Sequence, residues 1–353
     1  MCRNNHIITI LLLIILACIP CNSQAQNPIR AGTTAANFLE IGYGTAGCAM
    51  GDAYVSMARD LSSIYWNPAG LAYLKKQQAL FVYQPWFVDT KSMLVNVGYN
   101  NPTFGTIAIS MVSLDFGTMD VTTLAQQEGT GEKFSAVDQS FLISYGRKLA
   151  DWFATGISLK YISSQIWNLK ASAFAFDLGV LINTSFLAPA INRSEGLTIG
   201  MSISNYGSKI RYDGIDLINP IDILENENGN YDNVIGQFRT ESWELPLIFR
   251  LGISLKPIVT NFHSLAVSVD VLHPNNNSES INIGSEYALK GIGGNIFYLR
   301  GGIKGVGMAN ANEEELIGNI KLPFSSMNFG LGYEKYIANN KSIGIDYSYQ
   351  TIG

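Results

Sequence analysis

Gly42-Tyr43-Gly44-Thr45-Ala46-Gly47 is the first stretch of this sequence whose residue types could do chemistry. Its G-x-G-x-x-G spacing is that of a turn whose backbone amides, with a helix N-terminus behind them, receive a pyrophosphate. That chemistry needs the turn to open a βαβ unit, whereas the downstream sequence offers hairpins without crossover helices, so no nucleotide is expected. Glycines that let backbone pack closely are the better account of the motif. Beyond residue 25 the histidines are His263 and His273, without cysteine or carboxylate at ligand spacing, and no metal is expected. A serine–histidine hydrolase would need one serine singled out by its neighbours, and none is. Glu225-Asn226-Glu227-Asn228-Gly229 lacks a calcium-loop pattern and reads as a solvated loop. Neither enzymatic activity nor a cofactor is expected.

The remaining ionisable residues gain meaning from the elements that carry them. From Gln77 onward apolar and polar residues alternate with period two, which places successive side chains on opposite faces of a strand. Leu247, Phe249, Leu251, Ile253 and Leu255 alternate with Ile248, Arg250, Gly252, Ser254 and Lys256; Ile343, Ile345, Tyr347 and Tyr349 alternate with Ser342, Gly344, Asp346 and Ser348. Lys160, Asp177, Arg250, Asp270, Arg300, Glu334 and Asp346 fall mainly on the polar faces, where a hydrated lumen would let charges pair across strands. About thirteen such segments lie between residues 78 and 350, most near the 9 to 11 residues of a tilted membrane strand or somewhat longer. Connections alternate in length, with long ones near 115–133, 207–241 and 305–324, as expected when one barrel end faces outward and the other the periplasm. Trp86, Tyr99, Trp152, Tyr161, Trp167, Trp243 and Tyr336 stand near strand ends, where an interfacial girdle needs them. Because bacterial barrels have an even strand count, fourteen strands are expected, with the closing C-terminal strand missing from this sequence or replaced by part of the N-terminal segment.

Composition agrees with a membrane barrel. Charged residues make up 14% of the 353, well below the roughly 25% of a soluble protein. No stretch after residue 26 has the 18 or more apolar residues of a spanning helix, which leaves closed strands as the way across a bilayer. Arg3, the apolar run Ile7 to Ile19, and Ser23-Gln24-Ala25 read as a signal peptide over 1–25, with Gln26 first in the mature chain. Ile15-Leu16-Ala17-Cys18 offers a rival lipoprotein reading. Cys48 is the one cysteine outside the signal, so no internal disulfide can form. The net charge of −5, without clustered Lys and Arg, argues against nucleic acid.

Residues 26–76 form a separate unit: small residues, a helix-like stretch over Ala49 to Leu61, then a break at Trp66-Asn67-Pro68. Within it, Ala46-Gly47-Cys48-Ala49-Met50-Gly51-Asp52-Ala53-Tyr54-Val55, Asp60, and Tyr65-Trp66-Asn67-Pro68-Ala69-Gly70-Leu71-Ala72 closely resemble the start of the PorV/PorQ family, relatives of the FadL-type transporters. Cys48 and Arg59 depart from it, standing where a small residue and an acidic one are usual. The resemblance implies an all-β fold: a FadL-like fourteen-stranded transmembrane barrel over 77–353 in the outer membrane, with residues 26–76 as a plug inside. It assigns structural roles to Gly47, Gly51, Asp52, Ala53, Tyr54, Asn67, Pro68, Ala69 and Gly70. Pro68 would end a helical turn, Asn67 and Asp52 would cap local amides, and Gly51 and Gly70 would permit close approach to the wall. It further implies a carrier or scaffold in type IX secretion. Its partners would be outer-membrane lipid, translocon and attachment components and the C-terminal domains of cargo, with 207–241 as the contact surface. The alternatives are a FadL-like channel for hydrophobic small molecules held in the lumen, and a purely structural surface protein.

Overall fold

Period-two alternation produces one large antiparallel sheet. In the computed structural model, residues 32–188, 196–223, 233–291, 293–306, 327–337 and 341–351 are described; the expected signal over 1–25, the 225–229 cluster and most of the 305–324 connection lie outside them. The strands are β1 (Gln78–Pro85), β2 (Lys91–Asn101), β3 (Gly105–Asp120), β4 (Lys133–Ala150), β5 (Phe153–Ile166), β6 (Leu169–Asn183), β7 (Thr198–Gly207), β8 (Ile218–Ile221), β9 (Val234–Gln237), β10 (Ile248–Val259), β11 (His263–Pro274), β12 (Ser280–Lys290), β13 (Asn295–Val306), β14 (Met327–Ile337) and β15 (Lys341–Gln350). Thirteen form a meander in which each strand pairs with the next and β7 pairs with β10; β8 and β9 make a separate hairpin within the long connection. That hairpin was not anticipated, because four-residue strands such as Ile218–Ile221 carry too little alternation to stand out from a loop.

Burial runs opposite to that of a soluble sheet. On β2 the polar Ser92 and Asn96 are fully buried at 0%, whereas Val95 and Val97 between and beyond them are 44% and 56% exposed. On β10 Arg250 and Ser254 point inward and Phe249 and Ile253 outward. A polar interior behind an apolar exterior is the arrangement of a barrel whose solvent is lipid.

β1 and β15 stand at the two edges of the sheet and, as first and last of thirteen antiparallel strands, run in the same direction. Their backbones do not pair. The edges nonetheless approach: Gln84 Nε2 donates to Gln350 Oε1 at 3.3 Å, and Lys76 Nζ lies 5.6 Å from the ring centre of Tyr336. Among the described residues of the N-terminal segment none forms a strand between these edges, and the β-bridge from it to the rest of the chain is Thr34 with Glu244.

That segment crosses the inner face of the sheet instead. It comprises a 3-10 turn at Asn37–Glu40, the short helices α1 (Thr45–Ala49) and α2 (Ser63–Trp66), and a 3-10 turn at Pro68–Tyr73. The expected helix over 49–61 does not form. α1 stops at Ala49 because Gly51 and Asp52 both take left-handed backbone (φ +65° and +63°), with Asp52 N–H donating back to Gly47 O at 3.0 Å. The chain then follows the wall, where nine strands each present one glycine to it: Gly98, Gly146, Gly156, Gly179, Gly200, Gly252, Gly284, Gly302 and Gly330. Many are direct cross-strand partners, Gly146 with Gly156, Gly156 with Gly179, Gly200 with Gly252, and Gly284 with Gly302, so the glycines form a belt around the interior.

The belt is a packing requirement. At Gly179 an added Cβ would run into the Asn67 side chain and stand 2.8 Å from Pro68 Cδ, whereas at Gly301 it would meet nothing closer than 3.8 Å. Overpacking a closed interface costs about 1–3 kcal/mol. Gly179→Val is therefore expected to lower the melting temperature of the folded, detergent-solubilised protein and Gly301→Ala to leave it unchanged; circular dichroism melts of the two variants check this.

Candidate functional site

Asn67 joins the N-terminal segment to the wall. It is fully buried. Its Nδ2 donates to Val55 O and to Val180 O of β6, both at 3.0 Å, and its Oδ1 accepts from Ala69 N–H at 3.1 Å. The last bond caps the Pro68–Tyr73 turn, which Pro68 begins because its fixed φ suits a first helical position and its missing N–H needs no partner there. Ala69 lies against β5 and β6. Gly70 packs so closely on Ala58 O and Ser63 that no side chain fits.

Trp66 anchors the other half. Its Nε1 donates to Tyr43 O at 2.8 Å, and its ring faces Gly47 at a distance where an added Cβ would be 2.5 Å from Cε2. Tyr65 and Tyr54 pack edge-on to it at 4.8 and 6.2 Å. Gly51 backs onto Ile303 and Gly302 of β13, and Ala53 is fully buried. Asp52 pairs with Lys304 of β13 at 2.5 Å. Thus Gly47, Gly51, Asp52, Ala53, Tyr54, Asn67, Pro68, Ala69 and Gly70 belong to one packed unit. Asp52 caps no local amide and instead holds a wall cation.

Wall side chains complete the attachment. Asp270 of β11 accepts Val55 N–H at 2.8 Å, and Asn96 of β2 donates to Leu61 O at 2.9 Å. Arg59 donates to Asn183 at 2.7 Å and to Thr198 at 3.3 Å, and sits 4.8 Å over the Tyr73 ring. Other interior charges pair among themselves. Lys160 meets Asp177 at 3.1 Å, and Arg300 meets Glu286 at 2.7 Å and Asp346 at 2.9 Å. Arg250 donates to Ser204 at 3.0 Å. Glu334 accepts from Tyr298 OH at 3.2 Å. Glu286, Lys304 and the glycine belt were missed from sequence; the signal for the belt was available, as one glycine on the polar face near the middle of most strands.

Burial makes this interior chemically quiet. It raises the thiol of Cys48 far above the ordinary range, and that of the Tyr65 hydroxyl likewise, and lifts Tyr43 to about 12. Burial also raises the carboxyls of Glu40 and Asp60, although Ser62 donates to Asp60 twice. A thiol held protonated is a poor nucleophile. Cys48 Sγ donates to Gly42 O at 3.2 Å, within the glycine run that resembled a nucleotide loop. That run packs against Trp66 and Ser62, which occupy the space a phosphate would need. His263 contacts Tyr287, and His273 pairs with Glu279 at 3.0 Å on the surface.

At the far end of the barrel the connection after β7 folds back over the lumen. Ile210 and Leu245 are buried, and Tyr212 OH bonds Ser164 Oγ of β5 at 2.6 Å. The β8–β9 hairpin beyond leaves Ile218, Ile235 and Phe238 exposed.

With this geometry known, comparison with other proteins becomes informative. The toluene transporter TodX of Pseudomonas putida has a similar fold, at a TM-score of 0.51 and 11% identity over 87% of this chain and 92% of that one. A FadL homologue of Pseudomonas aeruginosa aligns at a TM-score of 0.46 and 12% identity over 86% and 88%. The first likeness identifies the architecture as a FadL-type barrel. Among curated proteins none matches. The profile of the family described as type IX secretion system protein PorV matches residues 22–242, well over half of the sequence. A polar-lined FadL-type barrel crossed by this N-terminal segment, carrying that match, belongs to the PorV family of type IX secretion.

Proposed function

We propose that this chain is an outer-membrane carrier that holds exported proteins for the type IX secretion system at its outer face, and that residues 26–76 are a seated hatch rather than a gate. Export by the 1–25 signal belongs to the same reading. The observation that carries it is the fit of the segment to the wall. The space between the segment and β2–β5, lined by Phe38, Tyr43, Ile64 and Leu94, is about 20 Å³. Since one water needs ~10–15 Å³ on this measure, a permeating hydrocarbon has no room on that side; on the opposite side a space of about 110 Å³ remains, lined by Tyr54, Met57, Arg59, Thr198 and Leu255. Work on cargo then falls to the outer surface, where the β8–β9 hairpin exposes the large apolar residues that a protein partner would cover.

A FadL-like channel is the second reading, favoured by the likeness to the toluene transporter. The two differ in whether the hatch moves, and Cys48 reports on that. In the carrier a maleimide added to folded protein in outer-membrane vesicles leaves Cys48 unlabelled and reacts only after denaturation. Labelling that rises when toluene or a fatty acid is added would instead favour the channel.

Asn67→Ala strands two buried carbonyls and an amide, a loss of ~3 kcal/mol by the usual cost of unsatisfied buried groups. It is expected to lower the melting temperature and to expose Cys48 to maleimide without ligand. Affinity purification of the intact protein from solubilised outer membranes of its host should recover translocon components and exported proteins through their C-terminal domains. Normal export and surface attachment of those proteins in a deletion strain would refute the carrier role.

A further inference from the structure

We propose that the outer mouth of the lumen contains a binding cup for a basic side chain, lysine or arginine, of an exported protein. The inference rests on the carrier reading and names the chemistry by which cargo is gripped.

The cup has a volume of about 630 Å³, within the range of sites that enclose a ligand group. Its sides are apolar, formed by Phe116 and Met119 of β3, Phe134 of β4 and Ile166 of β5, and its polar lining includes two carboxylates, Asp138 and Asp89. No lysine or arginine lines it. Asp138 sits on the inward face of β4, directly across from Ser164 of β5. Ser164 donates to it while bonding Tyr212 OH, so one hydroxyl links the carboxylate to the loop after β7. Asp89 belongs to the β1–β2 turn, whose backbone approaches Gly117 of β3.

Asp138, like Asp60 and Glu334, bonds a neutral hydroxyl, but unlike them it lines an open cavity, whereas several other interior carboxylates already hold a partner inside the wall. Asp177 has Lys160, Glu286 and Asp346 share Arg300, Asp52 has Lys304, and Asp270 accepts the Val55 amide. Among the described residues no cation pairs with Asp138, whose bond to Ser164 is to a neutral hydroxyl. A half-buried carboxylate without a counter-charge, surrounded by aromatic and aliphatic walls, is complementary to a cation on an apolar stem. The stem packs on the rings, the ring faces attract the cation, and the ammonium or guanidinium meets the carboxylate. An uncharged hydrocarbon would leave Asp138 desolvated and unpaired, which disfavours it.

The test uses the intact protein in detergent, titrated by fluorescence anisotropy with a labelled Gly-Leu-Lys-Leu-Gly peptide and with its counterpart carrying norleucine for lysine. The lysine peptide is expected to bind at least about tenfold tighter, with the advantage shrinking as salt rises. Asp138→Asn keeps an acceptor for Ser164 and should abolish that advantage; Ile166→Lys, which supplies an internal ammonium, should abolish it too. Maleimide protection of Cys48 confirms that each variant is folded. Equal binding of the two peptides to the wild type, or an advantage that survives in Asp138→Asn, overturns the cup. Capture of exported proteins from the host then separates this inference from its premise. Capture by the wild type that falls in Asp138→Asn supports both, and equal capture by the two overturns the cup alone. If the wild type captures nothing, the carrier reading falls, and with it the assignment of cargo as the occupant.

Discussion

Everything in this molecule follows from a sheet that turns its polar side inward. Once Ser92, Asn96, Arg250 and Asp270 face a lumen, each of their polar groups needs a partner, and water is scarce where the N-terminal segment lies. The segment supplies partners to all four, with the hydroxyls of Tyr43 and Tyr65 for Ser92 and Arg250 and with its own backbone for Asn96 and Asp270. Val55 N–H and Leu61 O bond to side chains of β11 and β2, and Asn67 returns the exchange by bonding the backbone of β6. Short helices and turns suit this task, since most of their amides and carbonyls are not used up internally. A long helix over the same residues would satisfy itself and leave the wall unpaired.

The glycine belt is the steric half of the same constraint. Backbone can reach backbone only where no side chain intervenes, so the glycines appear where the segment crosses each strand and their cross-strand pairing follows its track. The side chains of the segment then serve as wedges between strands. Leu61, Ile64, Trp66 and Leu71 are all fully buried, and Leu61, Ile64 and Leu71 make an apolar core together with Ala108 and Leu142 of the wall. Cys48 and Arg59, the two departures from the family pattern, are absorbed without strain: one is a small buried group against Gly42 O, the other bonds Asn183 and Thr198 at the wall.

The strands were legible in the sequence, though not their exact ends, because period-two alternation is local and strong; Leu247 to Lys256 could be read from ten consecutive positions. The N-terminal segment was legible as a unit but not in shape. Its path is fixed by contacts such as Val55 with Asp270, which are 215 residues apart, and no local pattern foretells that Gly51 and Asp52 will turn the chain out of a helix. Individual charges were placed on the correct face while some partners were not, since Arg300 and Asp346 are brought together by the register of β13, β14 and β15. Asp138 was passed over altogether: its distinction is the cavity it lines, which is formed by residues of β3, β4, β5 and two loops that no local pattern brings together.

Pairing also bears on how a barrel of this architecture could serve proteins rather than small molecules. Asp52 is buried while its partner Lys304 is exposed, and their charge-assisted bond ties the segment to β13. The amide of Val55 on Asp270 and the bond from Asn67 Nδ2 to Val180 O attach it further. These attachments lie on β6, β11 and β13, well apart in the sheet order. A transported hydrocarbon has no charge or hydrogen-bonding group with which to replace them. A protein bound at the mouth needs none of them broken, because the carboxylate of Asp138 lines a cavity at the mouth and the apolar residues of the β8–β9 hairpin are already exposed.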